Sequence, residues 1–229
     1  YEEKNMSLTN DRRKANEAMM AALYPNHPYG QQTTLGTAEH LRNPSMVAIN
    51  NYFKKYYVPN NYCIVLSGDF DPEQAIKVID KYFGKIPPKK IEPFKFEYEK
   101  PITEVKRVDI VGLEAENLII AYRINAGSTS KEVMLANLLD RVLNNGSTGI
   151  MDVNVRQKQL VQNAYSSVYD LNDYAAFTIR ATPKTGQSLE DLERLMIDQI
   201  NQLIDGKWDE SILKAAINQQ RLSEMKELE

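Results

Sequence analysis

The stretch from Ile86 to Pro101 constrains this chain most. It carries Pro87, Pro88, Lys89, Lys90, Pro93, Lys95, Lys100 and Pro101. Prolines that fix φ, set among solvated lysines, make a stiff connector and not part of a packed core. Domain sizes of about 100–200 residues admit one or two units in a chain of 229 residues, and the connector decides for two. The expected partition is a first unit over 1–86, a linker over 87–103 and a second unit over 104–229.

Before the connector, residues 2–23 have a helical pattern, broken near Ser7–Asp11, in which Ala15, Met19, Ala22 and Leu23 recur until Pro25 ends it. A Pro/Gly loop follows, from His27-Pro28-Tyr29-Gly30 to Gly36. Asn43-Pro44-Ser45 opens a helix to about Tyr57, whose Val47, Phe53 and Tyr57 are expected to pack in a core. Tyr62–Ser67 is short, apolar and bounded by turn residues, as in a strand buried on both faces. Asp71 then caps a helix with Pro72 at its first position and Gly84 past its end.

Beyond the connector, Glu104–Val111 and Asn117–Asn125 are expected strands, followed by a Leu-rich helix from Ser130 to Asn144. A short helix over Ile150–Gln159 leads to strands at Ala164–Tyr169 and Tyr174–Thr182, which the turn-rich Asp170–Asp173 joins as a hairpin. Ser188–Ile204 is strongly amphipathic and stops at Gly206, and Asp209 opens a last helix running to Glu229. The fold class is α+β: two αβ units, each with helices packed on one face of a mostly antiparallel sheet.

With 28 Lys+Arg against 31 Asp+Glu and a net charge of -3, the chain offers no strong electrostatic attraction for nucleic acid or an acidic membrane surface. Cys63 is the only cysteine, so neither an internal disulfide nor a Cys-rich metal cage can form. No apolar run approaches the roughly 18–20 residues that cross a bilayer; a soluble protein is expected, and the compartment, cytoplasmic or periplasmic, stays open. The start at Tyr1 without Met and the helix reaching Glu229 without a cap signal lead to the expectation that this is a piece of a longer protein.

Several motifs occur in a fixed order: Glu2-Glu3-Lys4-Asn5, Asn10-Asp11, His27-Pro28-Tyr29-Gly30, Gly36, Tyr56-Tyr57-Val58-Pro59-Asn60-Asn61, Gly68-Asp69, and Tyr82-Phe83-Gly84-Lys85-Ile86-Pro87. In this series the chain resembles the pitrilysin/insulinase family of zinc metallopeptidases. The second unit adds the Leu-rich helix and Val155–Val161. The resemblance implies that 1–86 is the end of a metal-bearing domain and 104–229 a second, inactive peptidase-like domain, truncated at its C-terminus.

Active members bind zinc through an inverted His-x-x-Glu-His on one helical face and a downstream glutamate, with the fourth position open to water. This chain has only His27 and His40, in loop-like contexts and not at helical spacing, so both are expected to be structural or solvated and the chain alone inactive. Aligning Asn10-Asp11 with the family's Asn-Asp makes Glu3 the downstream ligand. Glu2 is the rival, since neighbours on a helix point about 100° apart. The resemblance further implies substrate contacts from Arg156 and Tyr165, although the family's Arg and Tyr stand two residues closer together. Zinc in the full-length protein, a peptide substrate, the missing N-terminal part and a homologous second half or subunit are the implied partners. A non-catalytic relative serving as a binding or assembly subunit is the alternative.

Overall fold

The computed structural model describes residues 2–227, without the side chains of Glu224 and Glu227. The chain divides into two compact units. One comprises residues up to Thr9 together with Gln32–Glu97; the other comprises Asn10–Gln31 together with the chain from Tyr98 onward.

The first unit contains α1 (Glu2–Leu8), α4 (Ala38–Arg42), α5 (Met46–Tyr56) and α6 (Pro72–Phe83), while α2 (Asp11–Leu23) and α3 (Pro28–Gln31) fall in the second. Local chemistry sets these ends. Asn10 caps α2 through the Arg13 N–H, which accounts for the break between α1 and α2, and Asp71 caps α6 through the N–H groups of Glu73 and Gln74 with Pro72 first in the helix.

Burial in the first unit departs from the pattern. Val47, Phe53 and Tyr57, expected in a core, are exposed, as are Ile76, Tyr82 and Phe83. Tyr62–Ser67 forms no ladder among the described residues and is exposed, Val65 at 82%. A strand is a paired state: β-branched side chains favour it, but its N–H and C=O groups need a neighbouring main chain, and no described residue supplies one here.

The second unit is built on an antiparallel sheet of order β1-β3-β2, with β1 at Leu118–Ile124, β2 at Asn163–Asp170 and β3 at Ala175–Thr182. β2 and β3 form the expected hairpin, in register from Asn163↔Thr182 to Asp170↔Ala175. On one face Ala164, Phe177, Ile179 and Ala181 join Val142 and Leu143 of α7 (Lys131–Leu143), Leu192 and Met196 of α8 (Leu189–Ile204) and Ala216 of α9 (Ser211–Glu227). Ser130 and Ser188 cap α7 and α8. The expected continuation of α9 to Glu229 lies outside the described residues.

The opposite face is polar. Ser167 and Thr178 hydroxyls lie 3.0 Å apart, and the buried Arg180 donates from Nη2 to Tyr169 (3.1 Å) and to Asn16 of α2 (2.5 Å). α2 therefore meets the sheet on the side away from α7 and α8. The strand expected at Glu104–Val111 is a correction: the segment is exposed and without a ladder among the described residues. Side chains hold it instead, through a forked Arg107–Glu193 pair (2.7 and 2.9 Å) and Lys106 Nζ on the Ala22 carbonyl.

Candidate functional site

Polar groups converge in the second unit beside α7. Asn137, Asp140, Arg141 and Asn144 recur at i, i+3, i+4 and i+7, the spacing of one helical stripe. They form one wall of a cavity of about 540 Å³, with Asn163 and Tyr165 of β2, Gln219 of α9 and Arg156 completing it. A second depression of about 310 Å³ shares Gly146, Arg156 and Asn163 with the first.

Arg156 ends a π-helical turn, Asp152–Arg156, within the stretch where a short helix is expected; such turns recur at functional positions. Its Nη1 donates to Asp152 Oδ1 at 2.7 Å and lies 3.4 Å from Asn144 Oδ1. Asp152 is buried, and its other oxygen accepts the N–H groups of Asn145 (2.9 Å) and Gly149 (3.2 Å). The Asn145 side chain in turn accepts the N–H groups of Ser147, Thr148 and Gly149, and Gly146 takes a φ of +89°, which a residue with a Cβ rarely adopts. The guanidinium is thus held by a loop whose own hydrogen bonds are closed. Arg156 and Tyr165, singled out through the family resemblance, line one cavity.

Asp140 adds a second feature. Its Oδ1 is buried without a hydrogen-bond partner among the described residues, and burial pushes its carboxyl above the ordinary aspartate value, with the nearby Ser166 hydroxyl and Arg141 offsetting only part. Arg141 is half-buried and has no ion pair or hydrogen bond within the described residues.

The other candidates stand elsewhere. Glu2 and Glu3 are exposed on the first turn of α1, whose buried positions are Lys4 and Ser7. Glu3 is four residues from Ser7, so it lies closer to the buried side than Glu2 does. His40 is exposed on α4, in the first unit. His27 is buried in the second, where Nδ1 accepts the Tyr29 N–H and Nε2 lies 3.6 Å from Asp173, between the rings of Tyr29 and Tyr174. Glu99 closes this cluster: it accepts the N–H groups of Asn26 (2.5 Å) and His27 (2.9 Å) and the Asn26 amide (2.8 Å), and its own N–H donates to the Tyr174 hydroxyl. Burial alone would raise the Glu99 carboxyl, but these hydrogen bonds, with the Arg123 charge, outweigh it and hold it below its ordinary value. His27 is thus packed inside the second unit, among Tyr29, Tyr174 and Asp173.

The family model described as Peptidase M16 inactive domain matches residues 47–220. The chain belongs to this family. A zinc protease PqqE from Helicobacter pylori is 25% identical over 202 residues, covering 86% of this chain and 45% of that protein. The crystal structure of a peptidase M16 inactive domain from Pseudomonas fluorescens aligns with a TM-score of 0.72 at 17% identity, over 95% of this chain and 52% of the other. The periplasmic protease PqqL from Escherichia coli aligns with a TM-score of 0.72 at 15% identity, over 98% of this chain and 25% of the other. The chain thus spans about half or less of the length of these relatives.

Residues 47–220 thus carry the inactive domain of the peptidase M16 family. A catalytic zinc needs three protein ligands, and no group of three His, Cys, Asp or Glu stands ready for a metal among the described residues. No helix among the described residues is long and apolar enough to cross a membrane.

Proposed function

We propose that this chain is a non-catalytic portion of a zinc-dependent endopeptidase of the pitrilysin/insulinase type, in which it forms a wall of the substrate chamber. The observation that carries this reading is the meeting of Arg156 and Tyr165 in one polar cavity, with Arg156 held ready by the buried Asp152. A guanidinium fixed in this way can donate to a peptide carbonyl without first giving up mobility, and Tyr165 lines the same cavity.

The proposal assigns residues 1–86 to the end of the metal-bearing domain, 87–103 to the linker and 104–229 to the second domain. Glu3 is the proposed metal ligand of this chain, ahead of Glu2, and its nearness to the buried side of α1 supports that choice. The histidines and the general base would come from the missing N-terminal part of the same domain. That part also suits the exposed apolar faces of α5, Tyr62–Phe70 and α6, since apolar surface of this extent is ordinarily covered. A homologous second half or subunit would close the chamber.

In the full-length protein, Glu3→Gln should lower zinc content and peptide hydrolysis together while leaving the thermal unfolding midpoint in place, and Glu2→Gln should change neither. Zinc analysis of the purified variants decides it: full zinc occupancy in Glu3→Gln sinks the assignment.

A further inference from the structure

We propose that the cavity beside α7 binds a carboxylate and that Arg141 is the residue that meets it. The inference rests on the reading above only for the statement that this carboxylate belongs to a peptide.

Four charged groups face the two depressions: Asp140, Arg141, Asp152 and Arg156. Two of them neutralise each other. Asp152 is buried and spends its oxygens on Arg156 and on the N–H groups of Asn145 and Gly149. The remaining balance is Arg141 against Asp140. A guanidinium keeps its charge at every pH of interest and presents five donors, whereas the buried side of Asp140 disfavours its own anion. The positive group therefore dominates. Around it, the cavity is lined by Asn137, Asn163, Tyr165 and Gln219 from three different elements, all residue types that carry hydrogen-bond donors. This wall is rich in donors, and a carboxylate accepting a forked pair of hydrogen bonds from Arg141 satisfies it better than a cation or an apolar group. The stripe on α7 also places Arg141 beside the cavity that holds Arg156 and Tyr165, so a peptide gripped by those two can reach it with a C-terminal carboxylate or an acidic side chain.

The test uses the full-length protein and calorimetric titration with four versions of one uncharged hexapeptide: the free acid, its C-terminal amide, and the amide carrying one internal glutamate or glutamine. A charge-assisted pair predicts about tenfold tighter binding of a carboxylate-bearing version over its neutral counterpart. The free acid against the amide reports a terminus, and glutamate against glutamine reports a side chain. Arg141→Gln should erase the preference, and Arg141→Lys should restore part of it. Equal affinities for all four peptides in the wild type overturn the proposal, as does a preference that survives in Arg141→Gln; the first criterion needs no variant to fold. Hydrolysis is followed separately. A protein that selects carboxylates through Arg141 but cleaves no peptide refutes the peptidase reading and leaves the carboxylate site standing. A peptidase indifferent to carboxylates refutes the site alone.

Discussion

The two units carry similar local signals and end in different states. α6 in the first and α8 in the second are both capped, amphipathic helices. α8 buries Leu192 and Met196 completely, whereas α6 leaves Ile76, Val78, Tyr82 and Phe83 exposed. Likewise Ala175–Thr182 is buried between two strands, while the equally apolar Tyr62–Ser67 has no ladder. Caps and periodicity decide that an element forms; only a partner surface decides that it is buried.

The comparison can be broken at its strongest point first. Ile179→Ala, at a fully buried centre of β3, should cost about 2–5 kcal/mol, whereas Val65→Ser should stay within about 0.5 kcal/mol. Urea unfolding of both variants checks this, and a comparable loss at Val65 would show that the first unit has a core of its own. A smaller effect is expected at Gly30. A Cβ there would lie 2.2 Å from the Tyr24 carbonyl oxygen and 2.7 Å from that of Met20, and such overpacking costs about 1–3 kcal/mol. The loss should appear in the transition of the second unit, read by the near-ultraviolet signal of its buried Tyr24 and Tyr174.

The third expectation concerns acid. Glu99 sits below its ordinary value in the fold, so the unfolded chain binds its proton first, and the stabilisation is present above about pH 4 and lost as pH falls through the lower folded value. Glu99→Gln should therefore flatten the pH dependence of stability below about pH 4. Asp11 acts with the same sign, lowered by the N–H of Glu114, Lys14 and the N–H of Leu113, so some acid sensitivity should remain. A variant as acid-sensitive as the wild type would remove Glu99 from the explanation.

Elements with their own caps were legible in the sequence. Ser130, Ser188 and Asp71 mark helix starts that the fold keeps, and the hairpin at Asp170–Asp173 lies where its turn residues put it. Glu104–Val111 was not, because pairing depends on which main chain comes alongside, and Arg107 and Lys106 tie the segment down by their side chains. At the candidate site, Arg156 and Tyr165 were reached through the resemblance. Arg141 was missed, although a signal existed: Asn137, Asp140, Arg141 and Asn144 form a polar stripe in a helix otherwise rich in leucine. The π-turn that aims Arg156 has no comparable mark, since one hydrogen bond of different span leaves no pattern in residue types.

The hydroxyl of Tyr24 donates to the carbonyl of Ala175, across 151 positions of chain. During synthesis, the Asn10–Gln31 stretch emerges early but cannot dock until the β2–β3 hairpin has left the ribosome. All of Gln32–Glu97 must be made in between. The closure of so long a loop adds little to the entropy cost per residue, but it raises the contact order and slows the final step. α2, although the first helix of its unit to be made, should accordingly gain protection from hydrogen exchange only once the β2–β3 hairpin has formed.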